Sequence, residues 1–107
     1  MNFEEKLANV VNRHEEVQAL LSTNISSDEL VKLNKELSVL EPVVSAIENY
    51  KKHAKAMQDD KAMMDDATLD KEMREMAEAE YYEIKEQLPE LEKEIRVLLL
   101  PKEADDE

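Results

Sequence analysis

The chain of 107 residues contains no glycine, no cysteine and no tryptophan. Glycine-free sequence cannot cheaply supply the positive-φ positions that tight hairpins, phosphate-cradling loops and strand-to-helix elbows need. Dinucleotide-binding, P-loop and nucleophile-elbow chemistry are therefore excluded. The lack of cysteine removes disulfide scaffolds and thiolate zinc sites, and fits a reducing compartment. Aromatics are scarce, with three tyrosines and one phenylalanine. No apolar run approaches bilayer-spanning length. The opening "MNFEEK" carries acids where a secretory signal would carry bases, and no apolar segment follows it. A soluble, cytoplasmic protein is expected, of at most one domain.

Positive charge is also in short supply. Against 27 acidic residues there are 14 lysines and arginines, for a net charge of −13. Such a chain repels a phosphate backbone, so direct binding to DNA is not expected, and a basic protein is the better-matched partner. Solvation of exposed helix faces is the simplest account of most of these charges.

What the sequence does have is helical periodicity. In the first segment Phe3, Leu7, Val10, Val17 and Leu21 recur at alternating spacings of about three and four, with His14 in the remaining stripe position. Asn2 and Glu5 are placed as a capping box, as are Ser26 and Glu29 at a second helix start, where Ile25 and Leu30 take the positions of a hydrophobic staple. A second stripe comprises Leu30, Leu33, Leu37, Leu40, Val44, Ile47, Ala54, Met57 and Met64. A third comprises Leu69, Met73, Met76, Tyr81, Ile84, Leu88, Leu91, Ile95 and Leu98. The intervening "DDATLD", residues 65 to 70, offers Asp and Thr as caps, and its shortness predicts an antiparallel pair. The expected fold is all-α: a long, coiled-coil-like antiparallel hairpin, drawn out as a rod, with an additional N-terminal helix packed on it.

Pro42 and Pro89 fall inside the second and third stripes. Proline in a helix interior costs about 3 kcal/mol, through the missing N–H and a clash with the preceding turn. The apolar phase nevertheless continues across both sites, from Leu37 and Leu40 to Val44 and Ile47, and from Ile84 and Leu88 to Leu91 and Ile95. A terminated helix usually restarts in a new phase, so bent but continuous helices are expected, with the bends convex toward solvent.

No residue pattern announces an active site. A metal site at His14 would want a second ligand three or four positions on, where Val17 and Gln18 stand; His53 has only Tyr50 and Met57 as such neighbours. The carboxylates Glu72, Glu75, Glu80, Glu83 and Glu86 lack the Glu-x-x-His pattern of di-metal bundles and read as a solvated face. Met57, Met63, Met64, Met73 and Met76 gather around the hairpin tip. Methionine serves adaptable binding surfaces, but core filling suits most of these positions better. Tyr50, Lys51, Lys52 and Lys55 form a local basic patch, with Tyr81 and Tyr82 expected at a similar height on the facing helix. No catalytic, cofactor-binding or metal-binding residue is assigned, and no enzymatic activity is expected.

Three stretches carry a resemblance: "RHEEVQALL" at residues 13 to 21, "EMREMAEAE" at 72 to 80, and "VLLLPKEADDE" at 97 to 107. They closely resemble, in order and across the whole chain, the N-terminal region of bacterial class I peptide chain release factors, and more the type that reads UAA and UAG. The resemblance implies a helical first domain over residues 1 to 100. It also implies an acidic linker over residues 101 to 107, leading to a core that would carry stop-codon reading and a Gly-Gly-Gln motif for peptidyl-tRNA hydrolysis. A glycine-free chain cannot itself contain that motif, so no catalytic or decoding role is carried to any position. In the family this arm reaches toward the stalk base of the large ribosomal subunit. The implied partners are therefore the ribosome, through a stalk-base protein, and the rest of the factor's own chain. A detached arm also exposes surface through which two copies could pair. The competing expectation is a free-standing acidic coiled-coil adaptor or chaperone-like hairpin.

Overall fold

The computed structural model describes residues 2 to 100. The expected linker over residues 101 to 107 lies outside the described residues. Three helices make up the fold: α1 (Phe3–Leu21), α2 (Ser27–Met64) and α3 (Lys71–Leu98). The chain divides into two compact units, Met1–Ile47 and Glu48–Glu107, with α2 running from the first into the second.

In the first unit α1 packs on the opening half of α2. The start of α1 is fixed by the expected capping box. Asn2 Oδ1 accepts the Glu5 N–H at 2.8 Å, and Glu5 Oε1 accepts the Asn2 N–H at 3.1 Å. Two hydroxyls close the other end: Ser22 donates to the Ala19 carbonyl at 2.7 Å and Thr23 to the Leu20 carbonyl at 2.6 Å. At the start of α2 the Ser26 hydroxyl accepts the Glu29 N–H at 3.2 Å. Leu30, expected to staple this end, is 44% exposed.

The stripe of α1 is the one its spacing predicts. Leu7 and Val17 are buried, and Phe3, Val10, His14 and Leu21 are half-buried between and beside them. From α2 the buried residues of this unit are Val43, Val44 and Ile47. Each such side chain contributes about 1.5–3 kcal/mol through burial. One polar clamp fixes the register. Arg13 donates through Nε to Glu36 Oε2 at 2.5 Å and through Nη2 to Glu36 Oε1 at 2.7 Å, while Nη1 reaches Glu16 at 2.9 Å. A two-pronged guanidinium–carboxylate contact tolerates little sliding, so it specifies alignment beyond its contribution to stability.

Both prolines lie inside continuous helices, Pro42 in the 38-residue α2 and Pro89 in the 28-residue α3. The kept phase is seen in burial: Leu37 and Leu40 are half-buried before Pro42, and Val44 and Ile47 buried after it. Both prolines are exposed, as are Ser38 and Lys85, whose carbonyls lose their helical partners. Water can serve those carbonyls, which is why the helices continue.

In the second unit the closing part of α2 and α3 form the expected antiparallel hairpin. Its turn, residues 65 to 70, is built without glycine and without any positive-φ residue. Asp66 Oδ1 instead accepts both the Thr68 N–H at 2.9 Å and the Thr68 hydroxyl at 2.6 Å. Asp70 then caps α3, accepting the Met73 N–H at 2.8 Å. The Thr68 bonds hold the Asp66 carboxyl below the usual aspartate range.

One part of the predicted stripe on α3 is corrected. Met73 and Met76 are 42% and 68% exposed, whereas Arg74 is half-buried and Ala77 is buried. The inward row is Arg74, Ala77, Tyr81, Ile84, Leu88, Leu91 and Ile95. This row keeps the three–four alternation throughout; the step from Met76 to Tyr81 breaks it, because five residues carry a side chain too far round the helix.

Candidate interaction surface on the hairpin

The singled-out histidines have ordinary surroundings. His14 Nε2 lies 3.9 Å from Glu41 Oε2 on α2, and His53 Nδ1 lies 2.8 Å from the carbonyl of Asn49, one turn earlier on its own helix. Among the described residues no group of three or more His, Asp or Glu side chains could hold a metal ion.

The tyrosines of α3 meet edge to face, with ring centroids 5.1 Å apart, and Lys85 Nζ lies 5.7 Å from the Tyr82 ring centre. Tyr81 lines a cavity of about 390 Å³ with Ala54, Met57, Gln58, Lys61 and Leu88. It therefore faces α2 just beyond the basic patch, while Tyr82 is exposed. Within the patch Lys51 and Lys52 are exposed, Tyr50 is half-buried, and Lys55 binds Asp59 at 3.1 Å. Of the α3 carboxylates, Glu75 lies 3.9 Å from Lys71, and Glu72, Glu83 and Glu86 are exposed.

Glu80 differs from these. It stands in hydrogen-bonding contact with Asp60 of α2, which is only 6% exposed. Asp60 Oδ2 has no donor. The Asp60 contact, the charge on Asp60, burial and the charge on Glu83, in that order, push the Glu80 carboxyl above its ordinary value. The two carboxyls line a cavity of about 260 Å³ whose other walls are Met63, Met73, Met76 and Ala77.

Sequence reasoning placed Glu80 on a solvated face and passed over Asp60. A signal was present. The α2 stripe steps from Met57 to Met64, and Asp60 occupies the inward position between them. Nearby, half-buried Arg74 leaves its Nε without a partner and lines a cavity of about 370 Å³ with Met64, Asp65, Lys71, Glu75 and Glu78.

The fold and this surface define a class: an acidic, all-α domain of three helices, built on a helical hairpin. Residues 10–107 match the PCRF domain model, and the chain belongs to that family. It is 42% identical over 103 residues to peptide chain release factor 1 of Rhizobium rhizogenes, covering 96% of this chain and 29% of that protein. It is 40% identical to peptide chain release factor 1 of Gluconobacter oxydans, covering 100% of this chain and 30% of that protein. The chain thus spans less than a third of the length of the curated relatives it matches. No solved structure gives a significant match.

Proposed function

We propose that this chain is the N-terminal helical arm of a peptide chain release factor of the type that reads UAA and UAG, and that it serves translation termination by contacting the ribosome. The observation that carries this reading is the match to peptide chain release factor 1 along 96–100% of the chain. The physical character of the molecule supports it. An acidic surface with net charge −13 suits a basic ribosomal protein and repels exposed rRNA phosphates. No helix among the described residues is long and apolar enough to cross a membrane. On this reading the arm works in the cytoplasm, positions the factor, and leaves stop-codon recognition and hydrolysis to the remainder of the factor.

The test is a termination assay on ribosomes stalled at UAA. The 107-residue chain alone is expected to release no peptide above background, while a factor carrying it in front of a decoding and Gly-Gly-Gln core does. The arm added in excess is expected to slow the intact factor by competing for its ribosomal contact. Peptide release by the arm alone, or a complete absence of competition and of ribosome co-sedimentation, refutes the proposal.

A further inference from the structure

Two carboxyls in contact are an unfinished arrangement. Both present acceptors and carry like charge, so a cationic donor placed between them would be favoured. Asp60 is buried with one oxygen lacking any donor, and no lysine, arginine or histidine among the described residues pairs with it or with Glu80. The nearby inward cation, Arg74 on α3, forms no ion pair with either carboxyl and lines another cavity, with Met64, Asp65, Lys71, Glu75 and Glu78. Glu83 adds negative charge from α3, while Asp59 and Lys61 on α2 are paired with Lys55 and Asp65.

We propose that the cavity between Asp60 and Glu80 is a socket for one basic side chain, lysine or arginine, presented by a protein partner. The walls fit the stem of such a residue and the carboxyls fit its head. Long basic side chains lay their methylenes along apolar surface and keep the charge at a polar end. Here Met63, Met73, Met76 and Ala77 supply that surface, and buried Asp60 and exposed Glu80 line the same cavity. A cavity of about 260 Å³ is smaller than those that take drug-sized ligands, which suits a single side chain.

Hard divalent cations fit poorly. They demand about six or more oxygens, and thioether walls offer none. Met73 and Met76, 42% and 68% exposed, make an apolar rim that a free amine would leave uncovered and a protein surface would cover. The positive head group favours the charged form of Glu80, whose carboxyl otherwise stands above its ordinary value, so binding is proton-linked. The proposal rests on residues of the hairpin alone and stands whether or not the arm serves a release factor.

The test uses the whole chain with ¹³C-methyl methionine, observed by NMR. It is titrated with Nα-acetyl-lysine N-methylamide and its arginine counterpart. The norleucine analogue, spermidine and magnesium chloride serve as comparisons. Saturable shifts at Met63, Met73 and Met76 are expected with lysine or arginine and not with norleucine. The affinity should fall as pH drops through the raised range of Glu80, because the proton then competes. Glu80→Gln and Asp60→Asn should each weaken binding about tenfold. Glu80 is exposed, so E80Q retains the fold and carries the test if D60N does not. Absence of saturable shifts, an equal response to norleucine, binding of spermidine or magnesium as tight as that of lysine, or full binding by E80Q would each overturn the socket.

Discussion

Replacing Pro42 with alanine should stabilise the protein, and the structure sets the size of the gain. Pro42 lies 15 residues past the first residue of α2 and 22 before its last, so it is a helix-interior proline. There the penalty relative to alanine is about 3 kcal/mol. Alanine restores an N–H that can reach the Ser38 carbonyl and removes the ring. Proline also restricts the unfolded chain, and giving up that restriction costs about 0.4–1 kcal/mol. A net gain of about 2 kcal/mol remains, which for a chain this small moves the unfolding midpoint upward by roughly 8–16 °C. Thermal unfolding followed by circular dichroism, paired with a urea titration, measures both quantities, and the urea slope should be unchanged. The reasoning is exposed to a specific failure. Val43 and Val44, the two residues after Pro42, are buried at 5% and 8% exposure. If a bend at Pro42 is what seats them, straightening the helix unseats them. An unchanged or lowered midpoint would show that the proline is part of the packing and refute the account.

Two further outcomes test the first unit. Glu36→Gln should weaken the clamp to Arg13, and the loss should depend on pH. Hydrogen bonding to Arg13 holds the Glu36 carboxyl below its ordinary value, so its stabilisation is present above the unfolded-state value and lost as pH falls through the depressed one. The stability difference between wild type and E36Q, taken from urea titrations, should therefore shrink on acidification; a difference that grows would reverse the sign. Ile47→Ala, at a residue with no exposure, should cost about 2–5 kcal/mol, whereas Val39→Ala, at 52% exposure, should change stability by less than about 0.5 kcal/mol.

Legibility in the sequence followed the type of signal. Helix starts were readable because a cap is a local device: Asn2 with Glu5, Ser26 with Glu29, and Asp70 each act within one turn. Continuity through Pro42 and Pro89 was readable from phase, since a preserved face on both sides needs the same axis. The rotation at the start of α3 was misread because Met73 and Met76 are apolar and Arg74 is not. Spacing, rather than hydrophobicity, was the sounder guide there. Asp60 escaped for a related reason. A charged residue in an inward position looks like a gap in the stripe, and its significance depends on Glu80, 20 positions away and brought near only by the hairpin.

The way the helices stop has a consequence for how such an arm diversifies. Where a glycine in the left-handed region ends a helix, the stop is written into the backbone, and any other residue meets a steric penalty there. Here no described residue has positive φ, and α1 is closed by the hydroxyls of Ser22 and Thr23 bonding back to Ala19 and Leu20. Each of those bonds can be removed or remade by one substitution, with no forbidden conformation on the path. Helix ends of this kind can creep by a residue at a time, and connectors can lengthen or shorten, while the buried rows stay in place. Among descendants of a common ancestor, length differences should therefore accumulate at residues 22 to 26 and 65 to 70 before they appear anywhere within the helices.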